Sequence, residues 1–432
     1  MDQSTQLIIL TSVAGALFVL GVPIFLCMAT WTLLASFIID FTIQNIGVTS
    51  YQGISSYALL AMPLFIVAGE LISAGGGAAK LSALPATVLR PIRGGMSLAA
   101  IATCSIFSAI SGSNSAIVAT VGRTLIPEMK RQGYDPEFAA ASTAAGGIVG
   151  ILIPPSLLMV IYGFMTNLSI IDLFTAGWGP GICVSLGLAG GAIYCSRKHK
   201  WGGTEPFAVR DSARALWDAK LGITTMVLVL VLIYGGYSSP TEAASVVACY
   251  CILIGVFVTE QIKLKDIPGI FLASGRINGM LAPTIAISIV MQQILSIVGV
   301  PKLVYNFIYA FQEPWAMMLM MMAALVLFGS IMESISVCII LAPIMAPIAA
   351  AAGYNPYHFA LVFIVGLSLG FITPPFALDL FVASGVTGIP YGKIIRWISP
   401  FIIGVCIAWL LIAFYPPITL ALFKIVGGGG GF

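Results

Sequence analysis

Apolar runs separated by short polar segments fill almost the whole chain and predict a bundle of helices. A helix needs about 20 mainly apolar residues to cross the hydrocarbon core of a bilayer. The runs that we interpret as spanning helices are 7–20, 23–38, 56–74, 174–195, 221–234 and 240–259. The polar stretch 40–52 is predicted to be a loop, and the segments 80–93 and 263–276 are predicted to be helices at the membrane interface.

One apolar run, from about 95 to 127, carries polar residues at its centre, where a spanning helix rarely has them. Its arms of about 15 residues are too short to span, and together they are too long for one span. Backbone groups in lipid need internal partners, so a break at membrane depth must be enclosed by protein or line a wet cavity. We therefore predict a re-entrant helical hairpin with its tip at 111–115, followed at about 137–168 by a helix broken at Pro154 and Pro155.

The same features recur in the second half of the chain at one constant spacing. A Gly-Tyr-x-Pro run begins at Gly133 and again at Gly353, and a Pro-Pro pair follows each run at the same distance. We call the spacing between Gly133 and Gly353 the repeat offset. The pairs that match at this offset are Pro63 and Pro283, Pro127 and Pro347, Gly133 and Gly353, Tyr134 and Tyr354, Pro136 and Pro356, Gly146 and Gly366, Gly150 and Gly370, Pro154 and Pro374, and Pro155 and Pro375. We therefore predict a second hairpin at about 315–347, with its tip near 329–334, and a second broken helix at about 357–387.

Basic residues indicate how the two units lie in the membrane. The repeat assigns 1–196 to the first unit and 221–424 to the second, with a cytoplasmic loop at 197–220 between them and a Gly-rich tail at 425–432. Arg and Lys flank the first hairpin, whereas the matching positions of the second carry none. Because cytoplasmic loops are enriched in Lys and Arg, we expect inverted units, with all of the 19 basic residues except Lys302 and Lys424 on the cytoplasmic side.

Composition supports this architecture and excludes several functions. Of the 432 residues 59% are hydrophobic and 8% charged, with a mean hydropathy of +1.06, whereas about 25% of residues in soluble domains are charged. The eight Cys and two His do not have the spacing of zinc ligands. The sequence contains no G-x-x-x-x-G-K-[ST] motif, so it gives no indication of nucleotide hydrolysis by a P-loop. The predicted fold class is an all-α polytopic membrane protein with inverted-topology repeats.

Inverted repeats with paired broken helices are typical of secondary transporters, whose site lies near the membrane midplane. Half-helix N-termini attract anions, and unwound carbonyls with hydroxyls suit a small hard cation such as Na⁺. The residues that we assign to Na⁺ are Ser111, Ser113, Gly146, Gly150, Ile153, Gly329, Ser330, Glu333, Gly366, Gly370, Thr373 and Asp379. The residues that we assign to the solute are Ser111, Ser113, Asn114, Ser115, Pro154, Pro155, Thr373 and Pro374. The alternative is that small residues only permit close helix packing.

Acidic residues in apolar segments are functional candidates, because charge at membrane depth is costly. Glu333 lies at the second tip, where we favour a structural or ion-binding role. Asp379 follows closely after Pro375 and is expected to add negative charge to the second ion site or to bring proton coupling. Glu70 stays open between a functional acid and a partly hydrated helix end, and Arg123 is interpreted as a cytoplasmic anchor rather than a carboxylate ligand.

Nine short motifs lie between residues 94 and 385. They are Gly94-Gly-Met-Ser, Ser111-Gly-Ser, Ile126-Pro-Glu-Met, Gly133-Tyr-Asp-Pro, Ile153-Pro-Pro-Ser, Met159-Val-Ile-Tyr-Gly, Leu341-Ala-Pro-Ile-Met-Ala-Pro-Ile, Ile372-Thr-Pro-Pro and Leu380-Phe-Val-Ala-Ser-Gly. Together they resemble the large membrane subunit of tripartite ATP-independent periplasmic (TRAP) transporters. The resemblance implies an elevator-type, Na⁺-driven importer of the ion-transporter superfamily in the bacterial inner membrane, with Na⁺ held by the hairpin tips and paired breaks. Asp379 departs from the family pattern, in which we expect Asn.

The resemblance also implies two partners, a small membrane subunit of about four helices and a periplasmic substrate-binding protein. It implies that the substrate is a small carboxylate such as a C4-dicarboxylate, sialic acid or another organic acid. Each cation contributes about 2.3 kcal/mol per 100 mV, and an anion moves against that potential, so we expect two or more Na⁺ per cycle. The alternative is a stand-alone Na⁺- or H⁺-coupled anion carrier of the same superfamily. A membrane enzyme has no support, because no paired catalytic carboxylates or Ser/His arrangement is found.

Overall fold

The computed structural model describes residues 3–203, 206–375 and 377–426, which form helices joined mostly by short turns. The first ten helices are α1 (Gln3–Val19), α2 (Ile24–Ile38), α3 (Ile43–Ile54), α4 (Ala61–Ala74, after a 3-10 turn at Tyr57–Leu60), α5 (Gly77–Val88), α6 (Gly95–Ser111), α7 (Asn114–Arg131), α8 (Pro136–Gly147, continued by a 3-10 turn at Ile148–Ile151), α9 (Leu157–Thr166) and α10 (Ile170–His199).

The remaining helices belong to the second half of the chain. They are α11 (Val209–Tyr234), α12 (Pro240–Leu253, continued by a π turn at Ile254–Val258), α13 (Ile267–Ile297, after a 3-10 turn at Leu264–Asp266), α14 (Val300–Tyr309), α15 (Pro314–Gly329), α16 (Ser334–Ala351), α17 (Pro356–Gly370), α18 (Leu378–Thr387), α19 (Tyr391–Ile394, continued by a 3-10 turn at Ile395–Trp397), α20 (Ser399–Phe414) and α21 (Pro417–Val426).

Six helical segments of the described chain are long and apolar enough to cross a membrane. They are Tyr57–Ala74, Ile170–His199, Val209–Tyr234, Pro240–Val258, Leu264–Ile297 and Ser334–Ala351. A seventh is obtained if Tyr391–Trp397 and Ser399–Phe414, which are bent by 53°, count as one span. The chain is therefore a multi-pass membrane protein. Helices α6, α9, α15, α17 and α18 are shorter than the roughly 20 residues that a full span requires.

The helices around the two breaks recur at the repeat offset. α7 covers 114–131 and α16 covers 334–351, so both of their bounds differ by that offset, and α8 and α17 begin at Pro136 and Pro356. Each Pro-Pro pair contains a cis peptide bond, at Pro154-Pro155 and at Pro374-Pro375. The helix bounds thus repeat in the same register as the motifs.

Asp135 and Asn355 hold matching positions ahead of α8 and α17, and both cap the helix that follows. Asp135 Oδ1 accepts hydrogen bonds from the second and third backbone N–H groups after it, at 2.8 and 3.1 Å. Asn355 Oδ1 accepts the corresponding two bonds at 2.9 and 3.2 Å. Each side chain satisfies N–H groups that have no partner within the helix.

Asp135→Ala and Asn355→Ala are each expected to lower the free energy of unfolding by about 1 kcal/mol, because two helix N–H groups lose their acceptor. Asp135→Asn retains an acceptor oxygen and serves as the matched control, with stability close to that of the wild type. Thermal unfolding of the purified protein is the measurement. An Asp135→Ala variant as stable as Asp135→Asn would contradict the capping role.

The predicted polar loop at 40–52 is wrong, because most of it belongs to α3. Ile46, Thr49 and Gly53, at helical spacing, face α13. Thr49 Oγ1 donates to Gln293 Oε1 at 3.2 Å, and Gly53 is so close to Ile289 that a Cβ would lie 2.4 Å from its Cδ1. Only a narrow stripe of this helix packs against protein, so its mean hydropathy stays low and conceals the helix.

The predicted cytoplasmic loop at 197–220 is also wrong in its extent. α10 continues to His199 and α11 begins at Val209, so the connection covers only 200–208. Ala215 and Ala219 of α11 are buried, while the polar residues around them are exposed, which is the pattern of an amphipathic helix. The predicted separate interfacial helix at 263–276 is likewise the beginning of α13, and the tail beyond 426 lies outside the described residues.

An aromatic cluster next to this connection joins the two halves. Trp201 packs against Phe138 and Trp397, with ring centroids 4.8 and 5.5 Å apart. Its carbonyl oxygen accepts a hydrogen bond from Gly94 N–H at 3.0 Å. The cluster therefore fixes the base of the α6–α7 hairpin against the beginning of α8 and against the turn before α20.

Candidate functional site

Each helical hairpin packs against broken helices from both halves of the chain. α6 and α7 contact α8, and α15 and α16 contact α17. In addition, α18 contacts α7 and α8, and α9 contacts α16. The half-helix that follows each break therefore lies on the hairpin of the other half, which brings the two tips and the two breaks into one assembly.

The first tip is the turn Gly112-Ser113 between α6 and α7. Gly112 has φ +59°, and a Cβ there would lie 3.2 Å from the carbonyl oxygen of Pro155. A Cβ on Gly150 would lie 3.2 Å from Asn114 Cα. The tip thus touches the first break through its backbone, and a side chain at either glycine would force the two apart.

Three backbone carbonyls of the first break converge on Ser108. Its Oγ lies 3.3, 2.9 and 2.9 Å from the carbonyl oxygens of Val149, Gly150 and Ile153, and the side chain is fully buried. A hydroxyl carries one proton, so it donates to one carbonyl at a time. The Val149 carbonyl already accepts from the backbone N–H groups of Leu152 and Ile153, at 3.0 and 3.1 Å, so the hydroxyl serves chiefly the carbonyls of Gly150 and Ile153. Converging carbonyl and hydroxyl oxygens are the donors that hard cations prefer.

Asp379 of α18 reaches the first tip from the other half of the chain. Its Oδ1 accepts a hydrogen bond from Asn114 Nδ2 at 2.8 Å, and both residues are buried. Its Oδ2 has no hydrogen-bond partner among the described residues. A Cβ on Gly147 would lie 3.2 Å from this oxygen, so the glycine leaves room for the carboxylate. The structure therefore places Asp379 at the first tip rather than the second, because α18 packs across onto α7. The alternative of proton coupling stays a prediction.

Two helix N-termini meet at the Asn114–Asp379 pair. Asn114 is the first residue of α7, and Asp379 is the second residue of α18. Unpaired N–H groups and the positive ends of two helix dipoles stabilise negative charge at this point. Ser113 precedes α7 but makes no side-chain cap to it, and both Ser113 and Ser115 are half-buried. Their hydroxyls are available to a ligand.

The second site lacks this pair. At the repeat offset, Asp379 corresponds to Met159 and Asn114 corresponds to Ser334. Ser334 Oγ lies 3.5 Å from the carbonyl oxygen of Leu367, and Met159 is fully buried. The positions that carry a carboxylate and an amide at the first tip thus carry a thioether and a hydroxyl in the other half, and the Met159 side chain lies next to Gly177 of α10. The two tips therefore differ in the side chains that meet at them.

Backbone contact between two glycines joins the second tip to the second break. A Cβ on Gly370 would lie 2.3 Å from the carbonyl oxygen of Gly329 and 2.4 Å from its carbonyl carbon. The hydroxyls nearby bond within their own segments: Ser330 Oγ donates to Leu327 at 3.0 Å. Thr373 Oγ1 donates to the Leu369 carbonyl at 2.7 Å. This site is built from tightly packed backbone.

Glu333 caps α16 at the second tip. Its Oε2 accepts hydrogen bonds from the backbone N–H groups of Ile335 and Ser336 at 2.9 and 3.1 Å. A carboxylate at a helix N-terminus is stabilised by the helix dipole. Of the two roles predicted for Glu333, the structural one is thus observed, and the ion-binding one stays a prediction.

The remaining predicted residues divide between the site and ordinary packing. A Cβ on Gly146 would lie 3.1 Å from Cys104 Sγ, and one on Gly366 would lie 2.6 Å from Trp409 Cζ2, so both glycines permit close helix packing. The two breaks differ in exposure, since Pro154 and Pro155 are buried whereas Pro374 is exposed and Thr373 is half-buried. The side chain of Ser111 lies outside the described part of the chain.

Sequence reasoning missed Ser108, the residue with the densest oxygen environment at the first break. A signal was present, because Ser105, Ser108 and Ser111 are spaced by three and share one face of α6. It also missed Tyr162 of α9, which is fully buried and whose hydroxyl has no hydrogen-bond partner in the described chain.

The first tip and break gather oxygen atoms of the kind that bind small hard cations. Gly150 connects its two parts, because its carbonyl oxygen faces Ser108 and its backbone lies against Asn114, the partner of Asp379. Carbonyl, hydroxyl and carboxylate oxygens are thus gathered in a buried region, with one carboxylate oxygen lacking a partner among the described residues. The break carbonyls with Ser108 and the Asp379 carboxylate with Asn114 are thus two neighbouring buried groups of oxygen atoms, linked through Gly150.

The family model and the relatives that match this chain are all permease subunits of transporters. The family model described as "Tripartite ATP-independent periplasmic transporter, DctM component" matches residues 11–418. The chain is 34% identical to the C4-dicarboxylate TRAP transporter large permease protein of Pseudomonas aeruginosa, over 88% of this chain and 90% of that protein. It is 29% identical to the sialic acid TRAP transporter large permease protein of Vibrio cholerae, over 96% and 98%. It is 36% identical to the isethionate TRAP transporter permease protein DctMQ of Oleidesulfovibrio alaskensis, over 93% of this chain and 64% of that protein.

Two solved structures share the fold at low sequence identity. The Alcanivorax borkumensis YdaH transporter superimposes with a TM-score of 0.58 at 15% identity, over 90% of both chains. The Neisseria gonorrhoeae efflux pump MtrF superimposes with a TM-score of 0.55 at 13% identity, over 89% of this chain and 84% of that one. Both are transporters, and the likeness concerns their architecture.

Proposed function

The chain belongs to the DctM component family of tripartite ATP-independent periplasmic (TRAP) transporters, and on that premise we propose that it imports a small organic acid by Na⁺-coupled secondary transport. It is the large permease of such a transporter, and its relatives are named as permeases rather than enzymes. The proposed location is the bacterial inner membrane, and the proposed partners are a small membrane subunit and a periplasmic binding protein. The observation that carries the proposal is the buried group of Ser108, three break carbonyls and Asp379 at the first tip.

In the proposed cycle the first site takes Na⁺ before the solute. An ionised Asp379 next to the tip would repel an organic anion that approaches Ser113, Asn114 and Ser115. A Na⁺ ion held between the break carbonyls and Asp379 cancels this repulsion and leaves the N-terminus of α7 attractive to the solute carboxylate. Coupling then follows from charge, because the anion binds well only where the cation has bound.

The second site is proposed to take Na⁺ through backbone oxygens near Gly329 and Gly370, without the carboxylate–amide pair of the first. Two cations moving inward across 100 mV contribute about 4.6 kcal/mol. This exceeds the cost of moving one monocarboxylate against the same potential. Two or more Na⁺ per cycle are therefore part of the proposal.

The moving unit is proposed to consist of both hairpins and both broken helices. α18 lies on α7 and α9 lies on α16, so neither hairpin can move far without the broken helices of the other half. An elevator movement that carries this unit as one body would keep both ion sites intact. The names of the relatives specify C4-dicarboxylate, sialic acid and isethionate as their solutes. The solute proposed for this chain is likewise a small organic acid.

Uptake into proteoliposomes that contain the large and small subunits tests the function. The expected result is accumulation of the binding-protein ligand when an inward Na⁺ gradient and the loaded binding protein are both present, without ATP. Accumulation of free ligand by this chain alone would instead indicate a stand-alone carrier. If accumulation is unchanged when K⁺ replaces Na⁺, the proposal of Na⁺ coupling is contradicted.

Ser113→Ala is expected to raise the Na⁺ concentration for half-maximal uptake about fivefold, because the substitution removes one neutral oxygen ligand of the ion. Ser330→Ala is expected to raise it less, because Ser330 Oγ already donates to the Leu327 carbonyl. Ser245→Ala is the matched control, since that hydroxyl also bonds within its own helix, α12, at 3.0 Å. The Na⁺ dependence of initial uptake rates is the measurement. Identical Na⁺ dependence in the wild type, Ser113→Ala and Ser330→Ala would reject the assignment of the tips.

A further inference from the structure

A large apolar cavity lies between the second hairpin and helices α1, α2, α13 and α14, and it reaches the second tip at Ile331 and Met332. Its volume is about 650 Å³, within the roughly 300–1,000 Å³ of ordinary ligand pockets. The residues that line this cavity include Gly15, Trp31, Phe307, Met320, Ala324 and Met345. Most of the lining side chains are aliphatic, aromatic or Met, so the cavity suits an apolar occupant.

The few polar side chains in the wall are already satisfied. Thr11 Oγ1 donates to the Leu7 carbonyl at 2.8 Å and accepts from Trp31 Nε1 at 3.1 Å. Cys27 Sγ donates to the Val22 carbonyl at 3.6 Å. A water molecule needs two to four polar partners to occupy a buried site, and the described side chains of this wall offer none that is free for it. Protein interiors are close-packed, so an empty apolar space of this size is unfavourable.

The matching helices of the first half leave only a small cavity between them, which the first hairpin does not line. By the repeat offset, α4, α5 and α12 match α13, α14 and α2, and the end of α11 matches α1. The cavity among α4, α5, α11 and α12 measures only about 40 Å³. Leu81 of α5 closes it against α11, where a Cβ on Gly222 would lie 2.8 Å from the Leu81 side chain. In the second half α14 has no such partner among the described helices, and Leu303 and Phe307 are 67% and 62% exposed.

We propose that this cavity binds an acyl chain of a phospholipid from the surrounding bilayer. Phe307 lines the cavity and is also exposed on the outer surface of α14, so the cavity is continuous with the surface that faces the lipid. A helix about 10 Å wide would fill 650 Å³ within about 8 Å of its length, so only one to two turns of a partner helix could enter. A thin, flexible hydrocarbon chain fits the same space.

The position gives the acyl chain a role in transport. The cavity separates α15 and α16, which belong to the proposed moving unit, from α1 and α2. An acyl chain replaces the protein contacts that are missing there and can deform as the hairpin shifts. The site depends on apolar packing alone, so it exists whether or not the transporter couples to Na⁺.

Photolabelling of the wild-type complex of large and small subunits tests this site without any substitution. The probe is phosphatidylethanolamine with a diazirine near the end of one acyl chain, incorporated in phosphatidylethanolamine–phosphatidylglycerol vesicles. Peptide mass spectrometry is expected to locate label on interior residues such as Met320 and Met345. Label confined to outward residues such as Leu303, with none inside the cavity, would overturn the proposal.

Filling the cavity provides the second test. Gly15→Phe has space, because a Cβ at Gly15 meets nothing within 4 Å, and Ala324→Phe extends into the same cavity. Excluding even two methylene groups of the lipid from the cavity should lower lipid retention about tenfold, as measured by native mass spectrometry. Gly190→Phe is the matched control, since its Cβ also meets nothing within 4 Å but lies on α10, outside the cavity. Equal lipid retention by the Gly15→Phe/Ala324→Phe double variant and by Gly190→Phe would contradict an acyl chain in this cavity.

Discussion

Gly370→Ala is expected to abolish Na⁺-driven uptake. The added methyl group would lie 2.3 Å from the carbonyl oxygen of Gly329 and 2.4 Å from its carbonyl carbon, and backbone cannot rotate away as a side chain can. The second tip must therefore separate from the second break. Overpacking of this kind costs about 1–3 kcal/mol, and it removes the backbone oxygens of the proposed second ion site from their positions. Initial rates of uptake in proteoliposomes, normalised to inserted protein, are the measurement.

Gly385→Ala is the control for this substitution. Gly385 lies in α18, close in sequence to the second break, but a Cβ there meets nothing within 4 Å. Its uptake rate is expected to match the wild type. Substantial uptake by Gly370→Ala would mean that the contact between tip and break is dispensable, and that the second half does not hold an ion in the way proposed.

Asp379→Asn is expected to raise the Na⁺ concentration for half-maximal uptake by at least about tenfold. The substitution preserves size and an oxygen that can accept from Asn114 Nδ2, so it removes charge with little change of shape. Two unit charges about 4 Å apart interact by about 4 kcal/mol at an effective dielectric constant of 20, and the remaining amide oxygen recovers part of this. We also expect a changed net charge per transported solute, measured as current against solute flux.

Asp172→Asn provides the matched control for the lost charge. Asp172 lies at the beginning of α10, where its Oδ2 accepts a hydrogen bond from Tyr357 at 3.2 Å, far along the chain from either tip. Its Na⁺ dependence and charge per solute should equal those of the wild type. If Asp379→Asn behaves like Asp172→Asn, the carboxylate at the first tip takes no part in coupling.

Features that depend on local sequence were predicted well. The tips and breaks are marked by Gly, Ser and Pro in apolar runs, and the helix breaks are observed at Gly112-Ser113 and between Gly329 and Ser334. The repeat offset also shows in the matching bounds of α7 and α16. These predictions succeed because a helix break within an apolar chain needs residues such as Gly, Ser and Pro, which stand out against the apolar sequence around them.

Features that depend on packing between distant segments were not predictable in this way. Asp379 was assigned to the wrong tip, because sequence distance suggests the second break while α18 packs on the hairpin of the first half. Ser108 was missed, because its importance comes from three carbonyls that lie far along the chain from it. The helical part of 197–220 was hidden because an amphipathic helix has low mean hydropathy.

The most direct test of Na⁺ coupling through the first site is equilibrium binding of ²²Na⁺ to the purified complex of large and small subunits. The account predicts saturable binding in the wild type that excess K⁺ does not displace. It predicts that Asp379→Asn loses the tighter part of this binding and that Asp172→Asn retains it. No saturable Na⁺ binding in the wild type, or the same binding curve for wild type and Asp379→Asn, would contradict it.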